Sequence, residues 1–254
     1  MNKYKIIAHK CGSVEAKLVD NSLEALQAST DKAYIDGYEL DIQITNDGEL
    51  VVMHDSIIDR RFVWHYDFEA LNRKYLAENL HPVRTLDEML QEVPHDKEVL
   101  IEIKSVSSIF TPTRFKKVIE TLTNIIKNHP TLNINVISFV VAAVEETKKL
   151  NGNIKTTLLT ELKSFLYETK TLNSIYGNTS IDAISFERGF LNQSMARHIL
   201  ESGRDLGVFT IKEIKHFEKV KEVIGTELLD KYSERISLTT SIPTKLAKNM
   251  KRAL

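Results

Sequence analysis

Eight short runs of apolar and β-branched residues recur along the chain, alternating with stretches of helical length. The runs are Lys5–His9, Tyr38–Ile44, Val99–Lys104, Asn135–Phe139, Lys155–Leu159, Ala183–Phe186, Leu206–Ile211 and Arg235–Thr239. The helical stretches are Leu23–Tyr34, Leu86–Val93, Thr113–Asn128, Ala142–Leu150, Glu161–Leu172, Leu191–Ser202, Lys212–Ile224 and Thr244–Arg252. Within Thr113–Asn128, Val118, Leu122, Ile125 and Ile126 share one face, as a helix packed on a sheet requires. Strict alternation of this kind argues for a parallel sheet, because parallel neighbours need long crossovers. Eight units in 254 residues match the size of a closed (β/α)8 TIM barrel. One run breaks the rhythm. Leu50–His54 follows the second strand after Asn46-Asp47-Gly48, a hairpin signal far too short for a parallel crossover. It is expected to fold back as an extra antiparallel hairpin arm after strand two. The segment 60–84 reads as the longest irregular insertion and carries Phe62, Trp64, Tyr66 and Phe68. These aromatics are either a satellite core or a rim near the C-terminal end of the barrel. With no Pro/Gly/Ser-rich linker and no fixed-period repeat, a single domain over 1–254 is expected.

Charge and cysteine content narrow the function classes. A formal net charge of -1 gives no basis for broad electrostatic binding to nucleic acid or an anionic membrane. The single cysteine, Cys11, excludes an internal disulfide and a cysteine-rich zinc site. The opening MNKYKIIAHK lacks the apolar core of a signal peptide. No run approaches the ~18–20 apolar residues of a membrane span. A cytoplasmic location is expected; oligomeric state is not legible.

The stretch ELDIQITNDGELVVMHD, residues 39–55, concentrates the chemistry. Glu39 and Asp41 are two apart in a strand and so share a face, and the hairpin returns His54 towards them. Catalytic groups of a parallel barrel gather at the C-terminal ends of its strands. There the first strand delivers His9 and Lys10, and the third delivers Glu102 and Lys104 on one face. Three carboxylates converging from neighbouring strands would repel strongly without a cation. Glu39, Asp41 and Glu102 therefore form an oxygen-rich site suited to Ca2+ or Mg2+ rather than zinc. Lys10 and Lys104 beside it point to an anionic substrate, most simply a phosphate. Cys11 beside His9 invites a thiol-nucleophile reading, but that leaves the carboxylates unexplained. The other six histidines fall in expected loops or exposed helix positions and receive no role.

These motifs resemble the glycerophosphodiester phosphodiesterase family. AHKCG at 8–12, DNSLEAL at 20–26, ELDIQITNDGELVVMHD at 39–55, IDR at 58–60, VRTLDEML at 83–90 and EIK at 102–104 follow the family's order and spacing over the first ~105 residues. GVFTIK at 207–212 and LTTSIP at 238–243 resemble its later motifs more loosely. The resemblance implies a metal-dependent phosphodiesterase that hydrolyses glycerophosphodiesters by His/His acid–base catalysis. His9 and His54 would be the proton carriers, and Glu39, Asp41 and Glu102 would hold one divalent metal, Ca2+ or Mg2+ with Mn2+ admissible. Lys10 and Lys104 would contact the substrate phosphate, and Phe209 would wall the pocket. Several positions depart from the pattern: Lys10 stands for Arg, Cys11 for Gly, Asp20 for Glu, Lys212 for Asn and Ser241 for Asp, and the stretch after Asp59-Arg60 is replaced. Two other readings stay open: a phospholyase acting on a phospholipid or glycerol-phosphate polymer, with Phe62 and Trp64 exposed to the larger substrate, and a non-catalytic phosphate-binding barrel.

Overall fold

All eight residues of Gly37–Ile44 are buried, as expected of a strand packed on both faces within a parallel sheet. The computed structural model describes residues 4–78, 81–104, 112–161 and 177–251. Its strands are β1 (Lys5–Ala8), β2 (Gly37–Ile44), β3 (Leu50–Val52), β4 (Ile57–Ile58), β5 (Arg61–Phe62), β6 (Glu98–Ile103), β7 (Asn133–Ser138), β8 (Lys155–Thr160), β9 (Ala183–Glu187), β10 (Asp205–Ile211) and β11 (Ile236–Thr240). Eight of them run parallel in the order β1-β11-β10-β9-β8-β7-β6-β2, and pairing of β1 with β2 closes the ring. The structure is thus the expected TIM barrel. β3 pairs antiparallel with β2, Ile42 opposite Val52 and Ile44 opposite Leu50, so the hairpin arm is present. β4 and β5 form a separate two-stranded antiparallel sheet.

The ladders differ in length. β2 and β6 pair continuously from Gly37–Glu98 to Ile42–Ile103, whereas β1 and β2 pair only through Ile7–Gly37 and Ala8–Tyr38. Close approach at this seam requires glycine. A Cβ on Gly37 would stand 2.3 Å from the Glu98 carbonyl oxygen and 3.0 Å from Ile7 Cδ1.

Side chains outside the ring and the helices around it share one main core, with Leu40, Ile101, Val136, Ile184 and Val208 from the strands. Inside the ring, Ile7, Leu100, Ile137 and Leu159 form a smaller cluster with Phe139 and Phe209. At the N-terminal mouth the filling is ionic. Lys5 Nζ lies 2.8 Å from Glu98 Oε2, Lys155 Nζ lies 2.8 Å from Asp205 Oδ2, and Arg235 Nε donates to Asp205 Oδ1 at 3.2 Å.

Two helical expectations are corrected. The helix expected over Leu23–Tyr34 ends at Gln27. Ser29, inside the expected span, holds its hydroxyl 2.9, 3.1 and 3.3 Å from the Leu26, Ala25 and Cys11 carbonyl oxygens, alternative acceptors for its one proton, the competition with helical bonding that makes Ser poor in helix interiors. The segment 60–84 is not irregular: it contains β5 and the helix Phe68–Ala77. Leu71 packs from that helix on Val51, Met53, Val63 and Val83, with Tyr66 and Phe68 at the margin. Trp64 is 4% exposed and joins the main core, so it is not an exposed aromatic rim. The helix Thr226–Tyr232, before β11, is an addition to the expected elements. The expected helix Glu161–Leu172 lies, beyond its first residue, outside the described residues. No described helix is long and apolar enough to cross a membrane.

Candidate active site

Parallel register sets Asp41 of β2 directly beside Glu102 of β6, and Glu39 lies two residues back on the same face of β2. Glu39, Asp41 and Glu102 are 3%, 1% and 7% exposed. One carboxylate oxygen from each falls within 4.8 Å of the others. The Lys104 ammonium bridges two of them, 2.6 Å from Asp41 Oδ1 and 2.9 Å from Glu102 Oε1. It does not reach all three. Glu39 Oε1 is buried with no hydrogen-bond partner among the described residues, and Glu102 Oε1 meets Lys104 outside hydrogen-bond geometry.

The electrostatics follow from crowding. Burial pushes the Glu39 carboxyl well above its ordinary range, and the charges of Asp41 and Glu102 add to the effect. Burial likewise lifts Glu102 to about 7, with Lys104 opposing. For Asp41, burial works against the charge but the Lys104 ammonium and the Asn21 amide outweigh it, holding this carboxyl below its ordinary value. Burial also opposes the charge of Lys104, yet Glu102 and Asp41 raise its pKa. Three hard oxygen donors, an orphaned buried oxygen and carboxyls short of positive charge are a donor set that fits a divalent cation.

The histidines arrive from either side. His9 follows β1, and its Nε2 stands 3.8 Å from Glu39 Oε2, while Ser241, beyond β11, places Oγ 3.4 Å from His9 Nδ1. Burial pulls His9 down to about 4, although Asp41 pulls the other way. His54 sits just past β3, near enough for its charge to act on the Asp41 carboxyl. Its Nδ1 is 2.8 Å from Asp55 Oδ1. The arm is tied to the cluster through the backbone, because Met53 N–H donates to the Asp41 carbonyl at 2.9 Å.

The other expected site residues are placed differently from one another. Lys10 brings its backbone to the cluster, its N–H donating to Glu39 Oε2 at 2.9 Å, while its ammonium pairs with Asp20 at 2.7 Å. Asp20 also accepts from Ser13 Oγ at 2.5 Å. Lys10 and Cys11 take left-handed backbone conformations, φ 50° and 61°, which suits the glycine of the resembled motif better than Cys11. The Cys11 thiol is fully buried, and burial followed by the charges of Glu39, Asp41 and Asp20 pushes its pKa well up. That disposes of it as a nucleophile, which must ionise. Phe209 lines the barrel cavity shared with His9, Glu39 and Glu102. It meets Phe139 edge-on, with ring centroids 5.8 Å apart.

Three supporting residues carry no role in the sequence reading. Asn21 donates to Asp41 Oδ2 at 2.8 Å and accepts from the Asp41 N–H at 3.2 Å. Gln43 donates to the His54 carbonyl at 3.2 Å. Ser241 faces His9. Gln43 was within reach, since residues 39, 41 and 43 alternate onto one face. Asn21 and Ser241 come from distant segments, and their partners emerge only once the ring has closed.

A closed parallel barrel with an acidic cluster and two histidines at the carboxyl ends of adjacent strands defines a TIM-barrel enzyme. The model of the glycerophosphoryl diester phosphodiesterase family matches residues 9–224, and the chain belongs to that family. A glycerophosphodiester phosphodiesterase of Caldanaerobacter subterraneus subsp. tengcongensis is 28% identical over 172 residues, 62% of this chain and 67% of the relative. Two solved structures share the fold. One, a glycerophosphodiester phosphodiesterase from Parabacteroides distasonis, is 19% identical, with a TM-score of 0.74 over 98% of each chain. The other is an Oleispira antarctica phosphodiesterase in complex with the product sn-glycerol-3-phosphate. It is 16% identical, with a TM-score of 0.74 over 97% of this chain and 96% of its own.

Proposed function

We propose that the protein hydrolyses a glycerophosphodiester to glycerol phosphate and an alcohol. One divalent cation, Ca2+ or Mg2+ with Mn2+ admissible, would be held by Glu39, Asp41 and Glu102. The observation that carries this reading is the buried three-carboxylate cluster, in which Glu39 Oε1 is orphaned and Glu39 Oε2 stands 3.8 Å from His9 Nε2. Family membership supports the same activity, and the product bound to the Oleispira relative is of the class the reading requires. When bound, the cation neutralises phosphate oxygens and lowers the pKa of the attacking hydroxyl or water.

The side chains divide the remaining work. His9, held neutral by burial down to a pKa of about 4, is free to accept the nucleophile's proton at neutral pH. Asp55 orients the His54 ring through Nδ1, so that Nε2 can carry the proton given to the departing alkoxide. One P–O bond forms to the nucleophile, one breaks to the alcohol, and one proton passes to His9 while another leaves His54. Lys104 would flank the phosphate, Lys10 would reach it by leaving its ion pair with Asp20, and Phe209 limits the pocket. Water as nucleophile gives glycerol phosphate directly. A neighbouring glycerol hydroxyl would give a cyclic phosphate first.

The test is His54→Ala with the metal present. We expect turnover of a glycerophosphodiester to fall by about 10²–10⁴, while metal affinity by calorimetry and the unfolding midpoint stay close to the parent. Undiminished turnover would remove His54 from the chemistry.

A further inference from the structure

The inside of the barrel is filled on one side only. Closed barrels of this kind pack their interior with layers of four side chains from alternate strands, mostly bulky and branched. Ile7, Leu100, Ile137 and Leu159 meet that description. Across the ring, β9, β10 and β11 contribute Ser185, Gly207 and Thr239, and a cavity of about 60 Å³ remains beside them. At ~10–15 Å³ for each water, it holds roughly four to six.

The ladder registers sort its walls by height. Glu39, Ile137, Ser185 and Thr239 form one layer, and His9, Glu102, Leu159 and Phe209 form the next one toward the catalytic end. Deeper in the barrel, polar groups satisfy one another. Thr157 donates to Asn135 Oδ1 at 2.9 Å, and Asn135 donates to Glu98 Oε1 at 3.3 Å. Ser185 and Thr239 differ. They are 6% and 7% exposed, and neither hydroxyl has a hydrogen-bond partner among the described residues. Gly207 makes room for one of them, since a Cβ there would stand 2.4 Å from Ser185 Oγ. Two buried, unpartnered hydroxyls on the wall of a polar cavity are the partners that an ordered water requires. His9 lines the same cavity, with Nε2 3.8 Å from Glu39 Oε2. His54 stands on the hairpin arm, its side chain 46% exposed.

We infer that this cavity holds the attacking water and delivers it to the phosphate from inside the barrel, with Ser185 and Thr239 as positioning residues. The inference rests on the phosphodiesterase reading of the cluster, and it selects water over a glycerol hydroxyl as the nucleophile. In-line displacement puts the attacking and departing oxygens on opposite sides of phosphorus. Attack from the cavity therefore sends the alcohol outward, toward His54 and solvent. The water oxygen bonds to phosphorus and gives one proton to His9. The P–O bond to the alcohol breaks, and the alkoxide takes a proton from His54. The cavity also reaches Lys5 and Arg235 at the N-terminal mouth, a route by which water is replaced while substrate covers the other end.

The test is the double variant Ser185→Ala/Thr239→Val with the cation present; valine keeps the shape of threonine and loses the hydroxyl. We expect kcat for a glycerophosphodiester to fall about tenfold, with KM and the calorimetric cation affinity close to the parent. An unchanged kcat would overturn the inference. Thr239→Ser, which keeps the hydroxyl, should lose less than Thr239→Val; an equal loss would assign the effect to packing and overturn the inference too. Phosphorus NMR of the parent reaction should show glycerol phosphate with no cyclic phosphate before it. A cyclic phosphate as first product would make the substrate's own hydroxyl the nucleophile and overturn the inference. Hydration is read without turnover, from cross-relaxation between water and the Thr239 methyl group. A dry cavity in an active enzyme overturns the inference alone. A hydrated cavity in a protein that hydrolyses no glycerophosphodiester removes the phosphodiesterase reading, and with it the role given to the water.

Discussion

Glu39 carries its consequence in its protonation. Burial and two neighbouring carboxylates raise its pKa well above the ordinary range, so the metal-free cluster holds a proton to higher pH than an ordinary carboxyl does. A cation bound there needs the carboxylates ionised, and binding must therefore expel that proton. Calorimetric titration of Ca2+ or Mg2+ at pH 7, in buffers of different ionisation enthalpy, should show net proton release that diminishes in Glu39→Gln. Zero release in the parent would remove the argument. At this scale the sequence was a good guide wherever strand alternation alone places a side chain. Glu39, Asp41 and Glu102 meet because two strands lie side by side in register. It was a poor guide where a side chain's partner depends on a loop. Lys10 offers an ammonium on paper, yet the left-handed turn after β1 presents its backbone N–H to Glu39 and sends the ammonium to Asp20.

Among elements, β2 does most of the positioning, because it carries two carboxylates and the hairpin arm and touches both β1 and β6. Gly37 at its start is where these requirements collide. Gly37→Ala would drive a methyl group to 2.3 Å from the Glu98 carbonyl oxygen, and backbone there cannot yield without parting β2 from β6. We expect a loss of about 1–3 kcal/mol, read as a lower urea midpoint with unchanged m-value; a midpoint equal to the parent's would show that the seam relaxes freely. The eight barrel strands were legible because buried parallel strands are near-continuous apolar runs bounded by helical pattern. The helix Phe68–Ala77 was not, because it buries fully a single side chain, Leu71, and so lacks a broad apolar stripe. Its first N–H is satisfied by Asp47 in the hairpin turn, a partner 21 residues away. The early end of the helix at Gln27 was also hidden, since it depends on Ser29 finding carbonyls on both its own turn and the loop at Cys11.

Across the whole molecule the two ends of the barrel do different work. The C-terminal end concentrates negative charge around the site, while the N-terminal mouth is balanced, with Glu98 between Lys5 and Lys155. Burial would raise the Glu98 carboxyl, but Lys155, Lys5 and Asn135 together hold it below its ordinary value. Because the folded-state pKa is the lower one, Glu98 stabilises the fold above its unfolded value of roughly 4.3, and that contribution is lost as the pH falls through the folded-state value. Glu98→Gln should cost about 2 kcal/mol at pH 7, and the gap to the parent in thermal unfolding should close under acid. A gap that persists at pH 3 would assign the loss to packing instead of charge. The short pairing of β1 with β2 has a consequence of another kind. Seven ladders, from β1 through β11 round to β2, can exist in an open sheet with Asp41, Glu102 and Glu39 already assembled on its far edge. His9 is then stranded on the opposite edge. Closure of that last two-residue seam is what carries His9 to the carboxylates, so under the proposed mechanism turnover would report completion of the circle, whereas cation binding would report only one of its edges.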